Sequence, residues 1–144
     1  MNITIASDHA GFSLKQLLIP YLLSLNHTVK DMGPENGTDS CDYPDYAQKV
    51  CDSVLANGGL GVLICGTGIG MSMAANRVPG IRAALCTSEF QARFSKKHNN
   101  ANVLCLGGRI TGDALAKEIL AEFLAGEFEG GRHLARIQKF DSKA

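Results

Sequence analysis

The chain has 144 residues, of which 45% are hydrophobic, 19% charged and 6% aromatic, a composition typical of an ordinary globular protein and not of a disordered or fibrous one. Its formal net charge at pH 7 is zero, which argues against a general binder of nucleic acid or of anionic membranes. No apolar run reaches the length of a membrane span and no signal-like segment opens the chain, so we expect a cytoplasmic protein.

The five cysteines form no recognisable framework. They contain no CxxC pair and are odd in number, a pattern that suggests neither a zinc site nor a set of disulfides. Most of them are therefore expected to be small, buried, apolar residues.

Strand-like and helix-like segments alternate along the chain in sequence order. Short β-rich runs predict strands at 2–6, 28–32, 61–65, 81–86 and 102–106. Apolar spacing, caps and stop signals predict helices at 12–25, 43–57, from a glycine turn to about 76, 89–97, from a cap at Thr111 to about 125, and 132–140. Within the first helix, Pro20 predicts a kink or an early break.

Five strands that are each followed by a helix predict an α/β fold. Right-handed crossovers would place helices on both faces of a five-stranded parallel sheet, giving a Rossmann-like, three-layer αβα sandwich. We expect the strand order 2-1-3-4-5. No repeat or linker divides residues 1–144, so we expect a single domain that ends in a basic helix from about residue 131.

The most informative motif lies at residues 62–76, VLICGTGIGMSMAAN. A buried strand ends at Cys65, and three alternate glycines then leave backbone amides uncovered at the start of a helix, which favours an anion or oxyanion site over a merely tight turn. A dinucleotide fingerprint would need glycine at position 71, where the chain has Met71. Cys65 is either a core thiol or, because thiols beside helix N-termini tend towards thiolate, a base or nucleophile.

Other polar side chains each have a functional and a structural interpretation. Asp8 and His9 follow the first strand, at the edge where open parallel sheets bind ligands, yet such a pair is as often structural. His98 follows a helix, so geometry alone leaves it as a helix-end histidine. His27 and His133 are expected at the surface.

Arg132 and Arg136 are four residues apart, which places them on one face of the last helix. They form either a solvated basic helix end or a phosphate clamp, for which the arginine fork is well suited.

The combination of motifs resembles one known family. The matching segments are SDHAGF at 7–12, DYP at 42–44, ICGTGIG at 64–70, AAN at 74–76, GIRA at 80–83, HN at 98–99, NVL at 102–104, and EGGRH at 129–133 with Arg136. The chain resembles the sugar-phosphate isomerase family that includes ribose-5-phosphate isomerase B, allose-6-phosphate isomerase and galactose-6-phosphate isomerase.

The resemblance implies that ribose 5-phosphate and ribulose 5-phosphate are interconverted through a cis-enediolate, in the pentose phosphate pathway, without metal or organic cofactor. Cys65 resembles the base that moves the proton, Thr67 a hydroxyl that assists it, and His98 the residue that opens the sugar ring. One branch of the family has a glutamate base where this chain has Met71, so the chain falls in the cysteine branch. The positions implied to bind substrate are Asp8, His9, Tyr43, Gly66, Gly68, Ile69, Gly70, Asn99, Arg109, Arg132 and Arg136.

The resemblance also implies a homodimer, or a dimer of dimers, whose sites draw residues from both subunits. The expected partner is a small sugar phosphate, with no nucleic acid and no membrane. Two alternatives stay open at this point. The substrate could be allose 6-phosphate instead of ribose 5-phosphate, and the chain could be a non-catalytic sensor of a phosphosugar or nucleotide, which would tolerate alanine in place of Cys65.

Overall fold

The computed structural model describes residues 1–141 and contains a five-stranded, all-parallel sheet between helices. The strands are β1 Asn2–Ser7, β2 Thr28–Asp31, β3 Leu60–Cys65, β4 Ala83–Leu85 and β5 Val103–Gly107. The helices are α1 Phe12–Ser24, α2 Tyr43–Asn57, α3 Ile69–Ala75, α4 Glu89–Asn99, α5 Asp113–Ala125 and α6 Arg132–Asp141. The predicted αβα sandwich is therefore confirmed.

Two apolar clusters hold the layers together, one on each face of the sheet. Ile5 and Ile64 point towards α1, α4 and α5, where Phe123 is fully buried. Leu63 and Cys65 point towards α2 and α3, against residues such as Val50. This alternation follows from the two-residue period of a strand, and it explains why β3 is apolar without interruption.

The predicted strand order 2-1-3-4-5 is wrong, because the observed order is 2-1-3-5-4. β5 inserts between β3 and β4, with Cys65 beside Gly107 and Leu85 beside Cys105. The physical reason is burial: β5 is buried along its whole length, whereas β4 has three half-buried residues and suits a sheet edge. The consequence for function is that the turns after β1, β3 and β5 are direct neighbours.

Helix α1 runs through Pro20 without the expected break. Proline removes one hydrogen bond to the carbonyl four residues earlier, which belongs to Gln16. Both residues are exposed, so water can satisfy that carbonyl.

Among residues 1–141, no helix combines the length and the apolar character needed to cross a membrane.

The starts of α4 and α5 differ in their capping. The Ser88 hydroxyl caps α4 by accepting a hydrogen bond from the Gln91 N–H at 3.3 Å. Thr111 does not cap α5, because that helix begins after Gly112 and has no side-chain cap.

Candidate active site

Three turns meet at the carboxyl edge of the sheet and are joined by backbone hydrogen bonds. The turn after β1 is tied to β3 by Asp8 N–H, which donates to Ile64 O at 3.0 Å. The turn after β5 is tied to the glycine turn by Gly108 N–H to Cys65 O at 2.8 Å and by Arg109 N–H to Gly66 O at 3.0 Å. These backbone hydrogen bonds therefore hold the three turns together at the carboxyl edge of the sheet, which is the edge where parallel sheets bind ligands.

Cys65 ends β3, the middle one of these three neighbouring strands. Its side chain is buried, and its sulfur accepts a hydrogen bond from the Gly68 N–H at 3.1 Å. Gly68 has a left-handed backbone with φ of 79°, and a Cβ there would lie 2.5 Å from Leu85 Cδ1. Only glycine fits this position, so the turn holds an amide donor against the thiol sulfur.

The start of α3 supplies further donors. The exposed Thr67 hydroxyl accepts a hydrogen bond from the Ile69 N–H at 3.3 Å. The N–H groups of Gly70 and Met71 have no hydrogen-bond partner among the described residues. The Met71 side chain is fully buried in the apolar core, so this residue faces the site through its backbone alone.

Two side chains pack against the glycine turn. The Tyr43 ring, at the start of α2, packs on Gly70, where a Cβ would lie 2.7 Å from the ring. The Arg109 side chain lies over Gly66, where a Cβ would lie 3.6 Å from its Nη1 atom. An aromatic ring and a guanidinium therefore lie against the two ends of the glycine turn, as a sugar and an anionic group would require.

Asp8 and His9 complete this edge. Asp8 is buried, and its carboxylate accepts a hydrogen bond from the Gly11 N–H at 2.9 Å, which leaves its second oxygen available. His9 is half-buried, and its Nδ1 accepts a hydrogen bond from the Cys41 N–H at 3.3 Å. That bond places the proton of a neutral ring on Nε2, which makes Nε2 a donor.

The remaining predicted residues lie at the opposite edge of the sheet. α4 starts after β4 and runs back for 11 residues, a length of about 16 Å. Its end is fixed beside the start of β4, because Arg82 Nε donates to Asn100 O at 2.8 Å. His98 and the exposed Asn99 are there, and α6 packs against α4 with Arg132 and Arg136 exposed. One chain therefore does not bring these four residues to Cys65.

The surroundings of His98 differ from the prediction. His133 was expected at the surface, but it is buried and its ring stacks on that of His98, with centroids 4.2 Å apart and planes 10° apart. Burial lowers the pKa of His133, and the nearby charges of His98 and Arg132 act in the same direction. The Glu129 carboxylate lies 3.8 Å from His98 Nε2 and 3.7 Å from His133 Nε2.

Sequence reasoning missed the Met71 amide, Glu129 and His133. The amide could have been found by counting the free N–H groups of a helix start. The position of Glu129 beside the two histidines has only a weak signal in the sequence. That signal is the pair Gly130 and Gly131, which follows Glu129 and turns the chain.

The sequence model of the Ribose/Galactose Isomerase family matches residues 3–140. The chain is 48% identical over 140 residues to a probable ribose-5-phosphate isomerase B of Mycoplasma genitalium, covering 96% of this chain and 92% of that protein. It is 42% identical over 139 residues to ribose-5-phosphate isomerase B of Escherichia coli, covering 95% and 92%.

Solved structures agree with these sequence relatives. Ribose-5-phosphate isomerase B of Clostridium thermocellum superposes with a TM-score of 0.97 at 45% identity, covering 99% of this chain and 97% of that one. The M. genitalium enzyme with bound ribulose 5-phosphate superposes with a TM-score of 0.94 at 46% identity, covering 99% and 95%. The resemblance seen in the sequence is thus confirmed, and the chain belongs to the ribose/galactose isomerase family.

Proposed function

We propose that this chain is an aldose–ketose isomerase that interconverts ribose 5-phosphate and ribulose 5-phosphate through a cis-enediolate. The observation that carries the proposal is the Cys65 sulfur, held 3.1 Å from an amide donor inside a turn that also presents free N–H groups. A base beside preorganised donors is what enediolate chemistry needs. Relatives named ribose-5-phosphate isomerase B, one of them solved with ribulose 5-phosphate, support the substrate.

In this mechanism the Cys65 thiolate takes a proton from one of the first two sugar carbons and returns it to the other. Thr67, exposed beside it, relays protons to and from the sugar oxygens. The free amides of Gly70 and Met71 donate to the enediolate oxygen as its charge develops. Ile69 contributes less, because its N–H is already bound to the Thr67 hydroxyl.

The side chains around the turn hold the rest of the substrate. The free carboxylate oxygen of Asp8 accepts from sugar hydroxyls, and the Tyr43 ring lines the pocket beside Gly70. His9 Nε2 and the Arg109 guanidinium donate to the phosphate. A charge-assisted arginine contact of this kind is stronger than a neutral hydrogen bond.

We further propose that the site is completed by a second copy of the chain. His98, Asn99, Arg132 and Arg136 lie at the sheet edge opposite to Cys65, so a partner subunit supplies the ring-opening histidine and the terminal arginines. Exposed apolar side chains beside the Cys65 turn support such a contact, since Ile69 and Met73 are 46% and 65% exposed. An isologous dimer would repeat the exchange at both sites.

A Cys65→Ser variant tests the chemistry. We expect its turnover of ribose 5-phosphate, assayed with a chelator present, to fall by at least about 100-fold because the base is lost, while substrate binding persists. Cys41→Ser is the matched control and retains turnover. Full activity in Cys65→Ser would refute the mechanism. Tight phosphosugar binding without turnover in the parent protein would favour a sensor.

A mixing experiment tests the shared site. Cys65→Ser and His98→Gln are each expected to be inactive alone. After unfolding and refolding together, random pairing gives heterodimers with one intact site, and about a quarter of parental activity returns. No recovery, with mixed dimers shown by mass spectrometry, would contradict the exchange.

The substrate is tested by comparing kcat/KM for ribose 5-phosphate and allose 6-phosphate. We expect ribose 5-phosphate to be preferred. A higher kcat/KM for allose 6-phosphate would move the assignment to that branch of the family while leaving the chemistry of Cys65 unchanged.

A further inference from the structure

The ring of His98 lies between two other rings. It stacks on His133, with ring centroids 4.2 Å apart and planes 10° apart. It also meets Phe94 in an edge contact, with centroids 4.7 Å apart and planes at 64°. Phe94 lies one turn earlier on α4, whereas His133 belongs to α6. Side chains from two helices therefore hold this one imidazole.

These contacts restrict a torsion that is otherwise loose. A histidine ring turns easily about its Cβ–Cγ bond, because that torsion has no set of staggered wells. The side chain of His98 is 37% exposed and lies in the last turn of α4, where it would rotate freely without neighbours. Between His133 and Phe94 the ring can turn only by separating from both. Its two nitrogens therefore keep fixed directions.

The backbone places His133 against α4. Glu129 N–H donates to Lys97 O at 3.0 Å, which joins the segment before α6 to the last turn of α4. Gly130 and Gly131 follow with φ of 66° and 55°, a left-handed conformation that favours glycine and turns the chain into α6. The side chain of His133 is buried as a result, at 7% exposure.

The far end of α6 is tied to the same end of α4. Arg82, just before β4, donates from Nε to Asn100 O at 2.8 Å and from Nη1 to the Asp141 carboxylate at 3.2 Å. Asn100 directly follows α4, and Asp141 is the last residue of α6. Both ends of α6 are thus fixed to α4, so the position of the His133 ring does not depend on stacking alone.

The charges around the two histidines give them different properties. Burial lowers the pKa of His133, and the charges of His98, Arg132 and Arg136 act in the same direction, opposed only by Glu129. His133 is therefore mostly neutral at neutral pH. A neutral His133 lets the more exposed His98 take up a proton without facing a second positive ring.

We propose that His133, together with Phe94, is a positioning residue that holds the His98 ring in one orientation for opening of the sugar ring. The fixed orientation follows from contacts within one chain. Its effect on the reaction rests on the proposed function, in which His98 opens the ring of the substrate. Proton transfer depends on direction, and a misplacement of about 1 Å can cost about 100-fold in rate.

The orientation is measured by NMR on the full-length protein without substrate. Protons above the face of an aromatic ring are shifted upfield, so the carbon-bound ring protons of His98 should be upfield of their usual position. His133→Gln should remove this shift, whereas His133→Phe, which keeps a ring, should retain it. Signals of His98 that do not change in His133→Gln would overturn the proposal.

Steady-state kinetics with ribose 5-phosphate test the effect on the reaction. His133→Gln should lower kcat by at least about tenfold and leave KM nearly unchanged, because Arg132 and Arg136 still hold the phosphate. His133→Phe should keep kcat near that of the parent. A raised KM with equal losses in both variants would show that His133 only supports α6 and its arginines, which would refute the positioning role.

Phe94→Leu is a second variant, needed if circular dichroism shows that His133→Gln does not fold. It removes the edge contact with His98 but keeps an apolar side chain on α4, and it should lower kcat without raising KM. His27→Gln is the matched control, because His27 lies beside the N-terminal amine, and it should change neither constant. Parental kcat in Phe94→Leu would contradict the role of this ring.

The two measurements separate this inference from the proposed function. A parent protein that never turns over sugar phosphate, but whose His98 signals depend on His133, would refute the proposed function and leave the orientation of His98 standing. An active parent protein with parental kcat in a folded His133→Gln would refute the positioning role and leave the proposed function standing.

Discussion

The ring of Tyr43 fills the space that a side chain at Gly70 would occupy, since a Cβ on Gly70 would lie 2.7 Å from Tyr43 Cζ. The first residue of α2 is thereby held against the first turn of α3. Because α2 starts after the long loop that follows β2, this contact attaches that loop to the Cys65 turn. The shape of the pocket depends on the absence of one methyl group.

Gly70→Ala should separate stability from function. Alanine favours a helix over glycine by about 1 kcal/mol, so the thermal midpoint should hold or rise, while the displaced Tyr43 ring should raise KM for sugar phosphate. Thermal unfolding and steady-state kinetics measure the two effects. Gly112→Ala, where a Cβ meets nothing within 4 Å, is the control and should leave KM unchanged. An unchanged KM in Gly70→Ala would show that the Tyr43 position is unimportant.

Gly68→Ala should destabilise the fold more than Gly131→Ala does. Both residues have positive φ, but a Cβ meets nothing within 4 Å at Gly131 and overlaps Leu85 and Leu106 at Gly68. A left-handed alanine costs about 1 to 2 kcal/mol, and overpacking at Gly68 adds about 1 to 3 kcal/mol. Urea denaturation measures the difference. Equal losses would mean that backbone conformation alone requires glycine at 68.

The ion pair of Lys15 and Asp31 should respond unequally to removal of its two members. The Lys15 ammonium is fully buried and donates to both Asp31 oxygens, at 2.8 and 2.7 Å, and to Pro34 O at 2.9 Å. Asp31→Ala leaves that charge buried without its partner and should cost about 3 kcal/mol, whereas Lys15→Met should be nearly neutral. Chemical denaturation of both variants compares the costs, and a larger loss in Lys15→Met would contradict this account.

The buried thiols should resist alkylation in the native protein. Burial raises the pKa of Cys51 and of Cys86 to about 11 from 9.0, so both stay protonated well above neutral pH, and thiols react as thiolates. Iodoacetamide labelling followed by peptide mass analysis should modify the half-buried Cys41 and the proposed base Cys65 before Cys51 or Cys86. Cys41→Ser is the control that removes the Cys41 adduct and leaves the slow labelling of Cys51 and Cys86 unchanged. Rapid native labelling of Cys51 or Cys86 would contradict their burial.

The raised pKa values of Cys51 and Cys86 also predict how the stability of the fold changes at alkaline pH. In the unfolded chain these thiols ionise near pH 9, while in the folded protein they retain their protons to about pH 11. The folded state therefore binds more protons in that window, and the free energy of unfolding should fall as pH rises through it. Urea midpoints from pH 8 upwards measure this slope.

Much of the fold could be predicted because its signals are local. The apolar run into Cys65 and the three glycines specify a buried strand and a turn wherever the strand lies in the sheet. Strand order is not local: β5 lies next to β3 because it is apolar throughout, and the shorter β4 is left at the edge. That competition between strands for burial has no signature in the spacing of either one.

The candidate site was predicted as a set of residues but not as an arrangement. The resemblance placed Cys65 and His98 in one reaction, and only the direction of α4 reveals that they lie at opposite edges of one chain. His133 looked like a surface residue because its burial depends on stacking against His98. The roles of the individual site residues and the single-domain organisation of residues 1–144 stay predictions.

The separation of Cys65 from His98 within one chain has a consequence for the protein at low abundance. If the two groups must come from different copies, each molecule is inert until it meets another, and the catalyst is made by association as much as by folding. Specific activity would then depend on protein concentration and decline on dilution below the dimer dissociation constant. A cell could set the rate of the reaction through the amount of the chain alone, with a response steeper than proportional.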